Sequence, residues 1–259
     1  MTELTSSTVP LPGEGEDAFR SAFAYAAIGM ALVGLDGRWL RVNAAACELL
    51  GYTEAELLAR TFQDITHPAD LRTDLAHVAE LLAGTSRSYR MEKRYYHKAG
   101  TVVWVLLSVS LVRGPGGEPL HFISQLQDIT GMKRTEEALR STRRRLRAIF
   151  DNTFQFITLL DPAGIILEVN QTALRVSGLV PAEIVRRPFW AAPWWRPDPG
   201  TEQRVRDAVA RAAAGDVVRY EVAVQVAGGM AMTIDFSLSP VRNEMGEVVL
   251  LIAEGRDLS

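Results

Sequence analysis

The chain has 259 residues, 47% of them hydrophobic and 23% charged, with a formal net charge of -3. That length fits two compact domains better than one, and the apolar fraction fills real cores, which excludes wholesale disorder. Its 20 glycines and 12 prolines follow no period, which excludes collagen-like and low-complexity classes. A single cysteine, Cys47, rules out an internal disulfide and a thiolate-rich zinc site. No apolar run approaches the ~18 residues that a membrane helix needs, and Met1-Thr-Glu-Leu4 lacks the basic and apolar regions of a signal peptide. The expectation is a soluble cytoplasmic protein with no membrane partner.

Residues 1–16 read as a disordered tail. A helix follows, with Phe19, Ala22, Phe23 and Ala26 in one stripe. Met30-Ala-Leu-Val33 then reads as a strand, Asp36-Gly37 as a tight turn in which glycine supplies a positive φ, and Trp39-Leu-Arg-Val42 as the returning strand. Short helical pieces lead to His67-Pro68, which starts a longer helix. Its apolar residues Leu71, Leu75, Val78 and Leu82 keep helical spacing up to Gly84. Three strands complete the region, roughly Tyr89 to His97, Thr101 to Val112 and Leu120 to Gln127. In the first of these, Arg90, Glu92 and Arg94 alternate against Tyr89, Met91 and Tyr95. The run Val102 to Leu107 is apolar on both faces. Its outer face is therefore expected to be covered, by the first helix or by a partner subunit.

The same landmarks then recur. Leu35-Asp-Gly-Arg-Trp-Leu-Arg-Val-Asn43 reappears as Leu160-Asp-Pro-Ala-Gly-Ile-Ile-Leu-Glu-Val-Asn170, with two extra residues in the turn. Gly51 and Glu56-Leu57 match Gly178 and Glu183-Ile184, and Asp128-Ile-Thr130 matches Asp257-Leu-Ser259. Landmarks in one order with small gaps mean a duplicated domain, not a short-period solenoid. In the second copy Val218, Tyr220, Val222 and Val224 alternate with polar neighbours, as do Met232, Ile234, Phe236 and Leu238. Two strands, then helices, then three strands predict an α+β fold, an antiparallel sheet with helices on one face, twice over.

Both copies resemble the PAS sensory family. The resemblance is carried by Gly-x-x-x-x-Val-Asn ending at Asn43 and Asn170, by Gly51-Tyr-Thr-x-x-Glu-Leu57, and by His67-Pro-Ala-Asp70. Lys98-Ala-Gly-Thr-Val-Val-Trp104 and Asp128-Ile-Thr130 add to it. The second copy departs from the pattern, with no His-Pro element and a Trp-rich insert instead. The resemblance implies, for each copy, a five-stranded antiparallel sheet holding helices over a small-molecule pocket. The domains become 17–131 and 149–259, joined by a helix over 132–148. It also implies a sensory or relay module of bacterial signalling, such as the input region of a histidine kinase or diguanylate cyclase. The alternative is a constitutive dimerisation scaffold that binds no small molecule.

The connector carries seven basic residues (Lys133, Arg134, Arg140, Arg143, Arg144, Arg145, Arg147) against Glu136 and Glu137, a local charge of +5 that leaves -8 elsewhere. Met132, Leu139 and Leu146 stand seven apart, with Ile149 at the complementary position. This reads as a signalling helix that pairs in a homodimer; the competing reading is a solvated spacer. Nucleic-acid binding is not expected, because the flanking domains are acidic and no aromatic platform accompanies the arginines.

Haem-binding members of the family use a histidine on the long helix, where His77 lies. At 100° per residue His77 sits about 130° from the apolar stripe, better placed to pair with Asp74 or Asp70 than to ligate haem. The flavin photoreceptors of the family need a cysteine in an Asn-Cys-Arg-Phe-Leu-Gln motif, which is missing; Cys47 reads as a buried structural thiol. No cofactor is required by the sequence. Trp190, Trp194 and Trp195 sit in a proline-rich stretch that reads either as ordinary core capping or as the wall of a pocket. If a ligand binds, Trp190, Tyr220 and Phe236 are candidate contacts, with Tyr89 and Met91 in the first copy. No Walker loop, Gly-x-Ser-x-Gly or His-Glu-x-x-His motif is present, and Gly114-Pro-Gly-Gly117 reads as a strand-connecting turn. No catalytic residue is therefore expected.

Overall fold

A computed structural model describes residues 16–195 and 200–258, so the tail expected over 1–16 lies, but for its last residue, outside the described residues. The chain divides into two compact units, 1–138 and 139–259.

In the first unit, helix α1 (Glu16–Ala24) precedes strands β1 (Gly29–Val33) and β2 (Trp39–Val42). Helices α2 (Ala44–Leu50), α3 (Glu54–Leu58), α4 (Phe62–Ile65) and α5 (Pro68–Ala83) follow, then β3 (Ser88–Tyr96), β4 (Val102–Arg113) and β5 (Pro119–Asp128). The strands form an antiparallel sheet in the order β2-β1-β5-β4-β3. Helix α6 (Thr130–Asn152) is longer than the 132–148 expected and carries no buried residue. The second unit continues with β6 (Phe156–Leu160), β7 (Ile166–Val169), α7 (Gln171–Ser177), α8 (Pro181–Ile184) and α9 (Thr201–Ala214). Strands β8 (Val218–Gln225), β9 (Ala231–Arg242) and β10 (Val248–Asp257) close a sheet of the same order, β7-β6-β10-β9-β8.

Gly37 takes φ 88 in the β1–β2 turn, and its carbonyl accepts from the Phe62 N–H at 3.0 Å, so the hairpin also seats α4. The asparagine that ends each hairpin is a junction. Asn43 Oδ1 accepts from the N–H of Met30 and of Ala46, capping α2, while its Nδ2 donates to the carbonyls of Phe23 and Ile28. Asn170 repeats this on Ile157, Ala173, Phe150 and Gln155, all at 2.8–3.0 Å. It thereby ties the end of α6 into the second sheet.

Several faces differ from the expected ones. The buried face of α5 is Leu71, Asp74, Val78 and Leu81, with Asp74 and Leu81 fully buried, whereas Leu75 and Leu82 are exposed. Spacings of three, four and three fit that face equally well once Asp74 is allowed inside. On β4, Val103, Val105 and Leu107 point into the core, and Trp104 on the other face lies half-buried beneath Arg94 and Lys133, 5.1 and 5.4 Å from its ring. Within this chain two cations reach this ring, because a tryptophan face attracts them. In α1, Phe23 is buried beneath Arg41 but Ala22 is exposed. Cys47 is half-buried rather than buried.

Candidate functional site: two cavities in one frame

Each sheet faces its helices across a core, and each core holds a cavity. The cavity in the first unit is about 20 Å³, room for no more than a water-sized group. Its wall includes Trp39, Asp74, Tyr89, Tyr95 and Ser124. Behind it lies an ion pair between Lys93 on β3 and Asp74 on α5, both fully buried. Lys93 Nζ also donates to Thr66 Oγ1 at 2.9 Å and stands over the Tyr95 and Phe62 rings, while Tyr89 donates to the second Asp74 oxygen at 2.7 Å. Burial pushes the Lys93 ammonium below its usual value, with Asp74 pulling it back, and burial pushes the Tyr89 phenol well up. A second pair pins the same helix. Asp70 accepts from the Arg94 backbone N–H and from its guanidinium, which holds the carboxyl below its ordinary range.

The cavity in the second unit is about 60 Å³ and differently lined. Phe156, Phe189, Trp194, Trp195 and Phe236 form its wall, and Thr158, Ala253 and Gly255 its floor. Phe189 stacks on Phe236 at 6.1 Å, and Trp195 meets both edge-on at 5.2 and 5.5 Å. The Trp195 indole N–H donates to the Phe189 carbonyl at 2.7 Å, which locks the proline-rich segment into place.

Of the residues singled out in the sequence, Phe236 is in the second cavity's wall and Tyr89 in the first's. Tyr220 packs behind Phe236 at 5.2 Å, with a buried hydroxyl that has no hydrogen-bond partner among the described residues and Arg204 over its ring. Trp190 lies half-buried beneath Arg206, beside Gly164 rather than the cavity. Met91 is half-buried on β3, opposite Leu107. His77 pairs with Glu80 and stacks on Tyr89 at 5.0 Å, not with Asp74 or Asp70, because those carboxylates are taken by Lys93 and Arg94. It lines neither cavity. Met132, Leu139, Leu146 and Ile149 are 55%, 71%, 61% and 64% exposed, an apolar seam along α6 left open within this chain. Among the described residues no three His, Cys, Asp or Glu side chains group as a metal site, and no helix is long and apolar enough to cross a membrane.

Sequence reasoning missed Lys93, Asp74, Phe156 and Thr158. Lys93 is in phase with Tyr89, Met91 and Tyr95, and Asp74 with Leu71 and Val78; a charge in phase with a core face was the available signal.

Family models described as the PAS fold match residues 40–125 and 150–259, one in each unit. The chain is a tandem pair of PAS domains. It is 54% identical over 124 residues to a protein named Probable diguanylate cyclase DgcE of Escherichia coli (strain K12), a stretch that is 48% of this chain and 11% of that protein. It is 38% identical over 115 residues, 44% of this chain and 12% of the relative, to the sensor histidine kinase TmoS of Ectopseudomonas mendocina. The PAS domain of an HTR-like protein from Haloarcula marismortui covers 49% of the chain at 27% identity, with a TM-score of 0.42 over 99% of that structure. The chain thus spans about a tenth of the length of these two signalling relatives. With its two PAS domains it is a sensory module of the signal-transduction kind.

Proposed function

We propose that this tandem is a cytoplasmic, non-catalytic input segment of a longer kinase or cyclase, in which the second PAS domain takes a small molecule. The observation that carries this reading is the ring-walled cavity between the second sheet and its helices. In the first domain the equivalent space is filled and cross-linked by the Asp74–Lys93 pair, so that domain serves as the closed relay. The connector α6 pairs with its counterpart in a second copy through the open seam of Met132, Leu139, Leu146 and Ile149. Asn170 supports coupling, since it bonds the Phe150 carbonyl of α6 and the β6 backbone at once. The ligand shifts the module only by its differential affinity for two packings of that junction.

Sedimentation of the full chain tests the dimer: a species of twice the chain mass is expected, reverting to monomer in Leu139→Asp/Leu146→Asp. A wild type that stays monomeric at high concentration overturns the paired relay.

A further inference from the structure

The walls of the second cavity select by charge before they select by shape. Glu254 is its one ionisable lining residue, and it sits in the outward register of β10 with its carboxylate toward Ser237 at 3.5 Å. An ionised ligand would therefore be buried without a counter-charge, at a cost of several kcal/mol. The rings leave an edge-to-face frame in which a further ring packs favourably. Three lining polar groups make no side-chain hydrogen bond among the described residues, the Gln225 amide at the end of β8 being one. Neither the Thr158 hydroxyl nor the Trp194 indole N–H makes a hydrogen bond among the described residues, although Thr158 is 5% and Trp194 9% exposed. Thr158 stands in the inward register of β6, beside Leu160 in the same phase.

The floor is specific to this copy. In the first domain β1 and β5 pair Gly29 with Leu126 and Ala31 with Ser124; in the second, Phe156 pairs with Gly255 and Thr158 with Ala253. Large and small have changed strands at the first level, and the hydroxyl has changed strands at the second. This puts a ring and a hydroxyl on β6 and removes bulk from β10, beneath Phe236.

We propose that the second PAS domain binds a small, neutral, single-ring aromatic molecule bearing a hydroxyl group. The ring packs among Phe156, Trp195 and Phe236, and the hydroxyl exchanges hydrogen bonds with Thr158. This rests on the reading of that cavity as the ligand site.

The test is melting temperature and tryptophan emission of the full chain, titrated with phenol, toluene, cyclohexanol, benzoate and benzyltrimethylammonium. Phenol is expected to bind tightest and toluene about five- to tenfold more weakly, the worth of one hydrogen bond. Benzoate and benzyltrimethylammonium are expected to give no saturable response. Thr158→Val should bring phenol down to the level of toluene without weakening toluene. Ala253→Leu should abolish both; should its bulk prevent folding, Thr158→Val alone decides the hydroxyl contact. Binding of cyclohexanol or of either ion more tightly than phenol, lost in Ala253→Leu, overturns the ligand class and leaves the cavity reading standing. Phenol binding unchanged in Thr158→Val overturns the assignment to this site. Silence from every probe in the wild type overturns both the class and the reading on which it rests.

Discussion

Ten residues before the glycine that caps the long helix, the first domain has Asp74 and the second Val205; both are buried. Opposite the fourth residue of β4 and of β9, the first has Lys93 and the second Val222, paired with Val105 and Ile234 in the same register. One frame thus accepts an ion pair in one copy and two valines in the other at corresponding positions. The lesson is that a PAS core is specified by matched pairs rather than by single positions. A buried charge is tolerable only with its partner, and the Gly29/Leu126 and Phe156/Gly255 exchanges show that volume follows the same rule. What differs is what each solution leaves behind: a cross-linked core with a water-sized gap, or an apolar one with a ring-lined cavity.

The largest expected effect comes from unmatching the charge pair. Asp74→Val alone strands the Lys93 ammonium in the core and should cost about 3–5 kcal/mol in urea unfolding of the first domain. Asp74→Val with Lys93→Leu should recover most of that loss. A double variant as unstable as the single would show that the ion pair, unlike its valine counterpart, is irreplaceable.

The asparagine junctions should behave alike where the cores do not. Asn43→Ala removes five bonds and Asn170→Ala four, each leaving buried backbone groups unpaired at about 1–3 kcal/mol or more. Asn170→Ala should also raise amide exchange at the end of α6, where it holds the Phe150 carbonyl. Equal exchange in wild type and variant would remove that junction from the relay.

A smaller effect is read by pH. The Arg94 guanidinium, the largest cause, and the Arg94 backbone N–H lower the Asp70 pKa in the folded state. Its stabilisation is complete above the unfolded carboxylate value of about 3.9 and is lost as pH falls through the folded value. Asp70→Asn should cost about 1–2 kcal/mol at pH 7 and almost nothing at pH 2, followed by chemical denaturation of the first domain. A loss independent of pH would assign the effect to packing. Fourteen residues before its own capping glycine, where the first domain has Asp70, the second has Thr201 at the first turn of α9; its lowered carboxylate is Asp235, paired with Arg219 on the sheet instead.

Much of this was legible because it is local. The alternation of β8 and β9, the glycine at each hairpin and the asparagine that ends it are each written within a few residues, and the duplication follows from these local landmarks recurring in one order. The face of α5 was misread by one position at Leu75 and Leu82 because polarity was taken as exposure. Asp74 and Lys93 are separated by 19 residues, and no periodicity announces that two opposite charges will meet inside. The proline-rich segment announced buried rings but not which: Trp194 and Trp195 wall the cavity while Trp190 packs elsewhere.

The sequence by itself determined two copies of one α+β frame, their connector and the exposed apolar seam along it, since these follow from repeat, period and capping chemistry. Only the tertiary structure decided which charges are buried, which rings face a cavity and which hydroxyl is left without a partner. Those properties belong to pairs of side chains brought together across strands and helices, and the free energy of each member depends on what the other supplies.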